Sequence, residues 1–344
     1  MRLEKIAIVS IAFLTSALVT YVVRKRALAR GLVDVPGARS SHRVPTPRGG
    51  GLAIVLVMSA FVLVEGWRHA ASSDLALVLG LGGLVIALIG LVDDHRPLPS
   101  SVRLMVHFAV AIWAVERLGG LPPLQIGAHL TEPGLGGDAI AVLGIVWVLN
   151  LFNFMDGIDG IAATEAIFVV LAGAWLTAAE LPGVVNLSVV LAAACGGFLL
   201  WNWPPARIFL GDVGSGYLGY AIAVLVLATA RNNPVAVWVW LALGGAFFVD
   251  ATVTLARRVL RGEPASQAHR SHAYQWLARR WGSHRKVTAA LLFLNLACVL
   301  PAATLAALTP WAACAIMLTL LAVLTLLFLL VGSGRAERTS AANT

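Results

Sequence analysis

Long apolar runs alternate with short polar islands from one end of the chain to the other. An apolar run of about 18 residues or more is what a helix needs to cross ~30 Å of hydrocarbon. Counted this way, the pattern predicts about eleven spans, near 6–23, 49–66, 75–92, 102–118, 138–152, 160–179, 184–201, 214–230, 235–256, 287–308 and 311–332. The first run follows only Arg2 and Lys5 and ends at Arg24, Lys25 and Arg26 with no small-residue cleavage site, so it reads as an uncleaved first span. No internal repeat, low-complexity tract or second domain interrupts the pattern. The expectation is an all-α polytopic integral membrane protein, one membrane-embedded domain over residues 1–344, with a basic loop at 257–286.

Composition excludes the soluble alternative. Of the 344 residues 59% are hydrophobic and 12% charged, with a mean hydropathy of +0.85, whereas an ordinary globular domain is roughly half apolar. Cys195, Cys298 and Cys314 all fall inside apolar runs and suggest neither a disulfide framework nor a thiolate metal site. Charge then supplies orientation. With the N-terminus outside, the segments 24–48, 93–103, 153–159, 202–213, 257–286 and the tail hold 20 of the 25 Lys and Arg. By the positive-inside rule these are cytoplasmic. The net charge of +8 therefore faces anionic headgroups and phosphorylated substrates, and a nucleic-acid partner is not indicated, because the basic residues flank spans.

The polar islands carry chemistry on that same side. "GLVDDHRPLPSSVR" ends a span with Asp93 and Asp94, paired carboxylates that repel unless a cation is near, and hard oxygens of this kind suit magnesium (Mg²⁺). In "NLFNFMDGIDG" the steps from Asn150 to Asn153, Asp156 and Asp159 are each three residues, which on a helix sets them along one face. "WNWPPARIFLGDVGSGY" places Asn202 before a proline stop and Asp212 in a Gly-rich turn beside Arg207, with Ser215 as an expected cap of the next span. A simple helix cap is the other reading of that turn. The basic loop holds eight Lys and Arg against one acid, and His269 and His272 in it would lie one turn apart if helical. No Cys or third His completes a zinc set, so phosphate contact by these residues and Arg270 is the expectation. His107 and Glu165, inside apolar runs, are expected to be interhelical hydrogen-bond partners, and Asp250 to pair with Arg257 or Arg258.

Taken in order and spacing, "VDDHRPLPSSVR", "NLFNFMDGIDG", "FLGDVGS" and "HRSH" resemble the motifs of the polyprenyl-phosphate N-acetylhexosamine-1-phosphate transferases, over about residues 34–290. The "RSSHRVPTPRGGG" loop resembles the branch that initiates bacterial O-antigen. The resemblance implies transfer of a sugar 1-phosphate from a UDP-N-acetylhexosamine to undecaprenyl phosphate, with release of UMP, at the cytoplasmic face of the inner membrane. It implies Mg²⁺, with Mn²⁺ as an alternative ion, on Asn153 and Asp212, with Asp93 and Asp94 close by. Asp159 matches a uracil-side position, Arg103 a basic position facing phosphate, and His269 and His272 the histidine motif. Relatives acting on the muramyl-pentapeptide substrate carry adjacent histidines, and His-Arg-Ser-His argues against that donor. The implied partners are the two substrates and membrane lipid, with a homodimer left open.

Two other classes compete. A transporter should show inverted repeats and acids near mid-membrane, and neither is present. A hydrolase of lipid-linked diphosphates could share the metal site and would release inorganic phosphate in place of UMP.

Overall fold

The computed structural model describes residues 2–36, 44–68, 73–264 and 269–336. Residues 37–43, which include all of "RSSHR", and residues 265–268 of the basic loop lie outside the described residues. In chain order, α1 (Arg2–Ala29) leads through the paired strands β1 (Val33–Asp34) and β2 (Thr46–Pro47) into α2 (Leu52–Arg68). Next, α3 (Ser73–Leu77) continues through a π-helical turn, Val78–Gly82, into α4 (Gly83–His95), and α5 (Ser100–Arg117) follows. A hairpin of β3 (Leu124–Ile126) and β4 (His129–Thr131) precedes α6 (Gly134–Met155), α7 (Ile161–Thr177), α8 (Pro182–Asn202) and α9 (Asp212–Ala230). The rest comprises α10 (Ala236–Leu243), α11 (Gly245–Leu260), α12 (Ala273–Trp281), α13 (His284–Leu294), α14 (Leu300–Leu308) and α15 (Ala313–Val331).

Among the described residues seven helical stretches are long and apolar enough to cross a membrane: Leu3–Ala29, Asp74–His95, Gly134–Met155, Pro182–Asn202, Asp212–Ala230, His284–Leu308 and Pro310–Val331. An eighth is reached if α10 and α11, bent by 71°, count as one span. The expected eleven is therefore not met, and the reasons are physical. Leu52–Glu65 and Ile161–Thr177 are apolar but fall in the 10–17 residue range, short of the ~20 residues that cover the hydrocarbon. The stretch expected at 102–118 became α5, which carries Arg103, Glu116 and Arg117.

The core is organised around α9. Nearly every residue from Val213 to Ala230 is buried, as expected of a helix that is apolar all round. Its small residues let neighbours approach closely, the usual device where lipid removes the hydrophobic drive between helices. A Cβ on Gly219 would lie 2.7 Å from Leu149 Cα of α6, and one on Gly90 of α4 would lie 2.4 Å from the Asp212 carbonyl. This packing brings the end of α4, the end of α6 and the start of α9 together at one end of the bundle.

Candidate active site

The convergence point is built from helix termini. At the start of α9, Asp94 accepts hydrogen bonds from the backbone N–H of Asp212 (Oδ1, 3.0 Å) and Val213 (Oδ2, 3.2 Å). Asp94 is thus the cap of α9, and Ser215, the expected one, is not. Ser215 lies a full turn into the helix, and its Oγ accepts from Asn153 Nδ2 at 3.2 Å. Gly211, at φ +77°, makes this geometry possible: a Cβ there would strike Asp94 Oδ2 at 2.5 Å. Asp93 faces differently. Its Oδ1 accepts from Leu98 N–H (2.6 Å) and its Oδ2 from Arg103 Nη1 (2.6 Å), while Arg103 also reaches Asp212 Oδ2 at 3.0 Å. Arg103 is therefore bridged between two carboxylates instead of standing open toward a phosphate.

The second wall is the turn after α6. The helix ends at Met155, so Asn150 and Asn153 are helical, while Asp156 is the C-cap and Asp159 lies in the turn. The expected single helical face is corrected accordingly. Asn150 turns to α5, 3.4 Å from His107 Nδ1, and donates to the Val146 carbonyl at 2.7 Å. His107 is the interhelical partner it was expected to be, as is Glu165, which accepts from Asn295 Nδ2 at 2.6 Å. Asn202 staples the turn: its Oδ1 accepts from Gly160 N–H and its Nδ2 donates to the Ile208 carbonyl, both at 2.9 Å. Asp159 accepts from Ala206 N–H at 3.0 Å and lies 3.2 Å from His284 Nδ1.

Between these walls is a cavity of 340 Å³ lined by Asp94, Asn153, Asp156, Asp159, Asn202 and Asp212, all of them expected site residues. Asp34, Arg48, Gln275 and His284 complete it and were not foreseen. Arg48 and Asp34 form an ion pair at 2.6 Å across the β1–β2 pairing. The cavity opens on two recesses. One, of 420 Å³, shares Asp34, Arg48 and Asp94 with it and adds Arg26 and Arg30 over apolar walls. The other, of 770 Å³, shares Asp159, Gln275 and His284 and adds Arg270, Arg279 and Arg285.

Electrostatically the centre holds too much negative charge. The Asp156 carboxyl is pushed well above the usual range, first by burial and then by Asp212, Asp94 and Asp159 around it. Among the described residues no three His, Cys, Asp or Glu side chains are gathered closely enough to hold an ion unaided. Mg²⁺ does not need such a cage, because it is commonly held by one or two carboxylates with waters and substrate phosphates. An oxygen-only donor set with unbalanced charge fits that mode.

Other expected residues stand elsewhere. Arg207 lies by the Trp201 ring, 6.0 Å from its centroid, in an outer depression away from the acids. His269 and His272 are not helical: they precede α12, and His272 is its N-cap residue. Neither lines the cavity. His272 is 2% exposed, and burial above all holds its pKa down to about 3, so a cationic contact with phosphate is not available to it at neutral pH. Asp250 does not rely on Arg257 or Arg258. It accepts from Ala273 N–H (2.8 Å), Tyr274 N–H (3.3 Å), Ser333 Oγ (2.7 Å) and Thr254 Oγ1 (3.3 Å), capping α12. Arg257 donates to the Ser333 carbonyl, and Arg258 stands 3.4 Å from Glu263. Held this way, α12 places Gln275 in the cavity wall, and Tyr274 Oη donates to the Phe154 carbonyl between Asn153 and Asp156.

The family described as glycosyl transferase family 4 matches residues 76–230, which contain most of these acids. A Bacillus subtilis protein named "Probable undecaprenyl-phosphate N-acetylglucosaminyl 1-phosphate transferase" is 29% identical over 313 residues, covering 88% of this chain and 85% of the relative. A decaprenyl-phosphate N-acetylglucosaminephosphotransferase of Mycobacterium tuberculosis is 29% identical, covering 80% of this chain and 76% of the relative. A phospho-N-acetylmuramoyl-pentapeptide-transferase of Moorella thermoacetica is 32% identical, covering 66% of this chain and 73% of the relative. The chain belongs to the polyprenyl-phosphate N-acetylhexosamine-1-phosphate transferase family. It is a multi-pass membrane protein with polyprenyl-phosphate sugar-1-phosphate transferase activity.

Proposed function

We propose that this chain transfers N-acetylhexosamine 1-phosphate from a UDP-sugar to undecaprenyl phosphate, giving the undecaprenyl-diphosphate sugar and UMP, and so initiates O-antigen or a related cell-envelope polysaccharide. The observation that carries the reading is the acidic cavity opening on two arginine-edged recesses, with Arg48 at one junction and His284 at the other. Two anionic substrates can then reach the same carboxylates from different directions.

In the step itself, an oxygen of the lipid phosphate forms a bond to the β-phosphorus of the UDP-sugar. The bond from that phosphorus to the bridging oxygen breaks, and UMP leaves with the electron pair. The attacking monoester has a second pKa of about 6 and is mostly dianionic at neutral pH, so a general base is secondary. What the site must supply is position and charge balance. Asp212 and Asn153, with Asp94 and Asp156 lining the same space, would hold Mg²⁺ or Mn²⁺, which when bound neutralises and orients the diphosphate oxygens. Asp93 orients Arg103 against Asp212. Asp159 and His284 stand where the cavity meets the basic recess and suit the nucleotide side. The His-Arg-Ser-His motif favours a donor other than the muramyl-pentapeptide nucleotide.

The test is to incubate the purified protein with undecaprenyl phosphate and a panel of UDP-N-acetylhexosamines and read lipid products by mass. One or more should yield the lipid-diphosphate sugar. Failure of the whole panel would reject the donor class. Orientation in the inner membrane, with this site cytoplasmic, is checked by Val44→Cys and His129→Cys in a background lacking Cys195, Cys298 and Cys314. An impermeant thiol reagent added outside should label the second and not the first, and the reverse pattern would move the site to the other face.

A further inference from the structure

Away from the acidic centre, where α12 meets the end of α15, lies a cavity of 610 Å³, within the ~300–1,000 Å³ range of small-ligand sites, that shares Arg279 with the basic recess described above. Its floor is apolar, from Leu277, Leu330 and Val331. Its rim is cationic, from Arg279, Arg280 and Arg335, and among the described residues no carboxylate lines it. Arg279 lies over the Trp276 ring, 4.6 Å from Cζ to centroid. Among the described residues the Trp276 indole N–H finds no acceptor, and the guanidinium groups of Arg280 and Arg335 have no ion-pair partner.

We propose that this cavity binds the headgroup of an anionic glycerophospholipid. Arg280 and Arg335 present N–H groups to a phosphodiester, the donor set that recognises phosphate oxygens, and the unsatisfied Trp276 indole N–H lies beside them in the same cavity wall. The acyl chains have a ready surface: α15 ends at the cavity, and its Leu326 (64% exposed) and Leu330 (78% exposed) continue the apolar floor toward the bilayer. Charge complementarity selects an anionic lipid over a zwitterionic one, since basic pockets at span ends bind such headgroups. A pair of arginines at the last turn of α12 also complements the helix dipole, but Arg335, contributed by the segment after α15, lies outside that explanation. The site does not depend on the donor or acceptor assigned to the acidic cavity.

The experiment uses the full-length protein reconstituted in phosphatidylcholine vesicles containing increasing fractions of brominated phosphatidylglycerol. Quenching of Trp276 is taken as the difference between wild type and Trp276→Phe. Brominated phosphatidylglycerol should quench Trp276 at far lower mole fraction than brominated phosphatidylcholine. The Arg280→Ala/Arg335→Ala double variant should need about tenfold more of it, and Arg280→Lys/Arg335→Lys should stay within a few-fold of wild type. Equal quenching by the two lipids, or no change in the alanine variant, would overturn the proposal. Protection of Trp276 by millimolar inorganic phosphate would reassign the cavity to a soluble phosphate ligand and overturn it as well.

Discussion

Two clusters of buried acid chemistry sit within one end of this molecule and are built on opposite principles. Around Asp250, each carboxylate oxygen takes hydrogen bonds from the groups it faces: two backbone N–H groups, Ser333 and Thr254. That is how burying a charge becomes tolerable, and the result is a locked joint between α11, α12 and the turn after α15. Around Asp212, carboxylates face one another across open space, with Arg103 the cation bonded to Asp212 and Asp93. Burial first, and then the neighbouring negative charges, push Asp156 well above its ordinary range. An arrangement that destabilises the protein alone makes sense where a cation and phosphates complete it. Asp250, fully bonded, holds the fold, while the crowded carboxylates around Asp212 are the ones proposed to meet substrate.

Substitutions should separate the two clusters cleanly. Asp212→Asn should lower kcat at least about a hundredfold by removing a charged oxygen from the reaction centre. Its thermal unfolding temperature should hold or rise, because a repelling charge is lost. Exhaustive chelation of divalent ions should abolish turnover, and added Mg²⁺ or Mn²⁺ should restore it; full activity after chelation would remove the metal from the account.

Asp250→Ala should do the reverse, costing about 2–4 kcal/mol of stability as buried N–H and hydroxyl groups lose their acceptor. Asp250→Asn, which keeps an acceptor oxygen, should cost less, and both are read by thermal unfolding in detergent. If Asp250→Ala lost activity with stability intact, Asp250 would belong with the catalytic acids.

A smaller effect should appear on acidification. His272 has a folded pKa of about 3 against about 6.5 in an unfolded chain. Between these values the unfolded state binds the extra proton, so His272 makes the protein progressively less stable as pH falls from about 6.5 toward 3. His272→Gln should flatten that part of the stability profile, and an unchanged profile would mean that the imidazole binds its proton equally in the folded and unfolded states. The smallest change is expected for Asp159→Ala, a rise in donor KM of about tenfold with kcat largely kept.

The acids themselves were legible because carboxylates interrupting apolar runs are costly unless they have work to do, and their one-sided distribution pointed to a single face. Direction was not legible. A three-residue step put Asn150 with Asn153 and Asp156, yet the helix ends at Met155 and Asn150 turns to His107. Arg48 and His284 complete the cavity from far along the chain: His284 lies 125 residues from Asp159, and local periodicity says nothing about such a meeting. The paired histidines drew attention by composition, but burial is a tertiary property. Asp250 likewise has Arg257 and Arg258 within two turns and is instead satisfied by Ser333, 83 residues away. The span count exceeded the structure's because apolar length was read without the elbow at Gly244 or the short reach of α7.

The central claim is that the acidic cavity moves a sugar-bearing phosphoryl group. A UDP-N-acetylhexosamine accepted by the protein and labelled at its β-phosphorus tests it directly, with undecaprenyl phosphate and Mg²⁺ present. The account predicts that the label moves to the lipid as UMP forms in equal amount, and that Asp212→Asn loses this transfer while remaining folded. Label retained in UDP, label released as inorganic phosphate, or transfer unaffected in Asp212→Asn would contradict it.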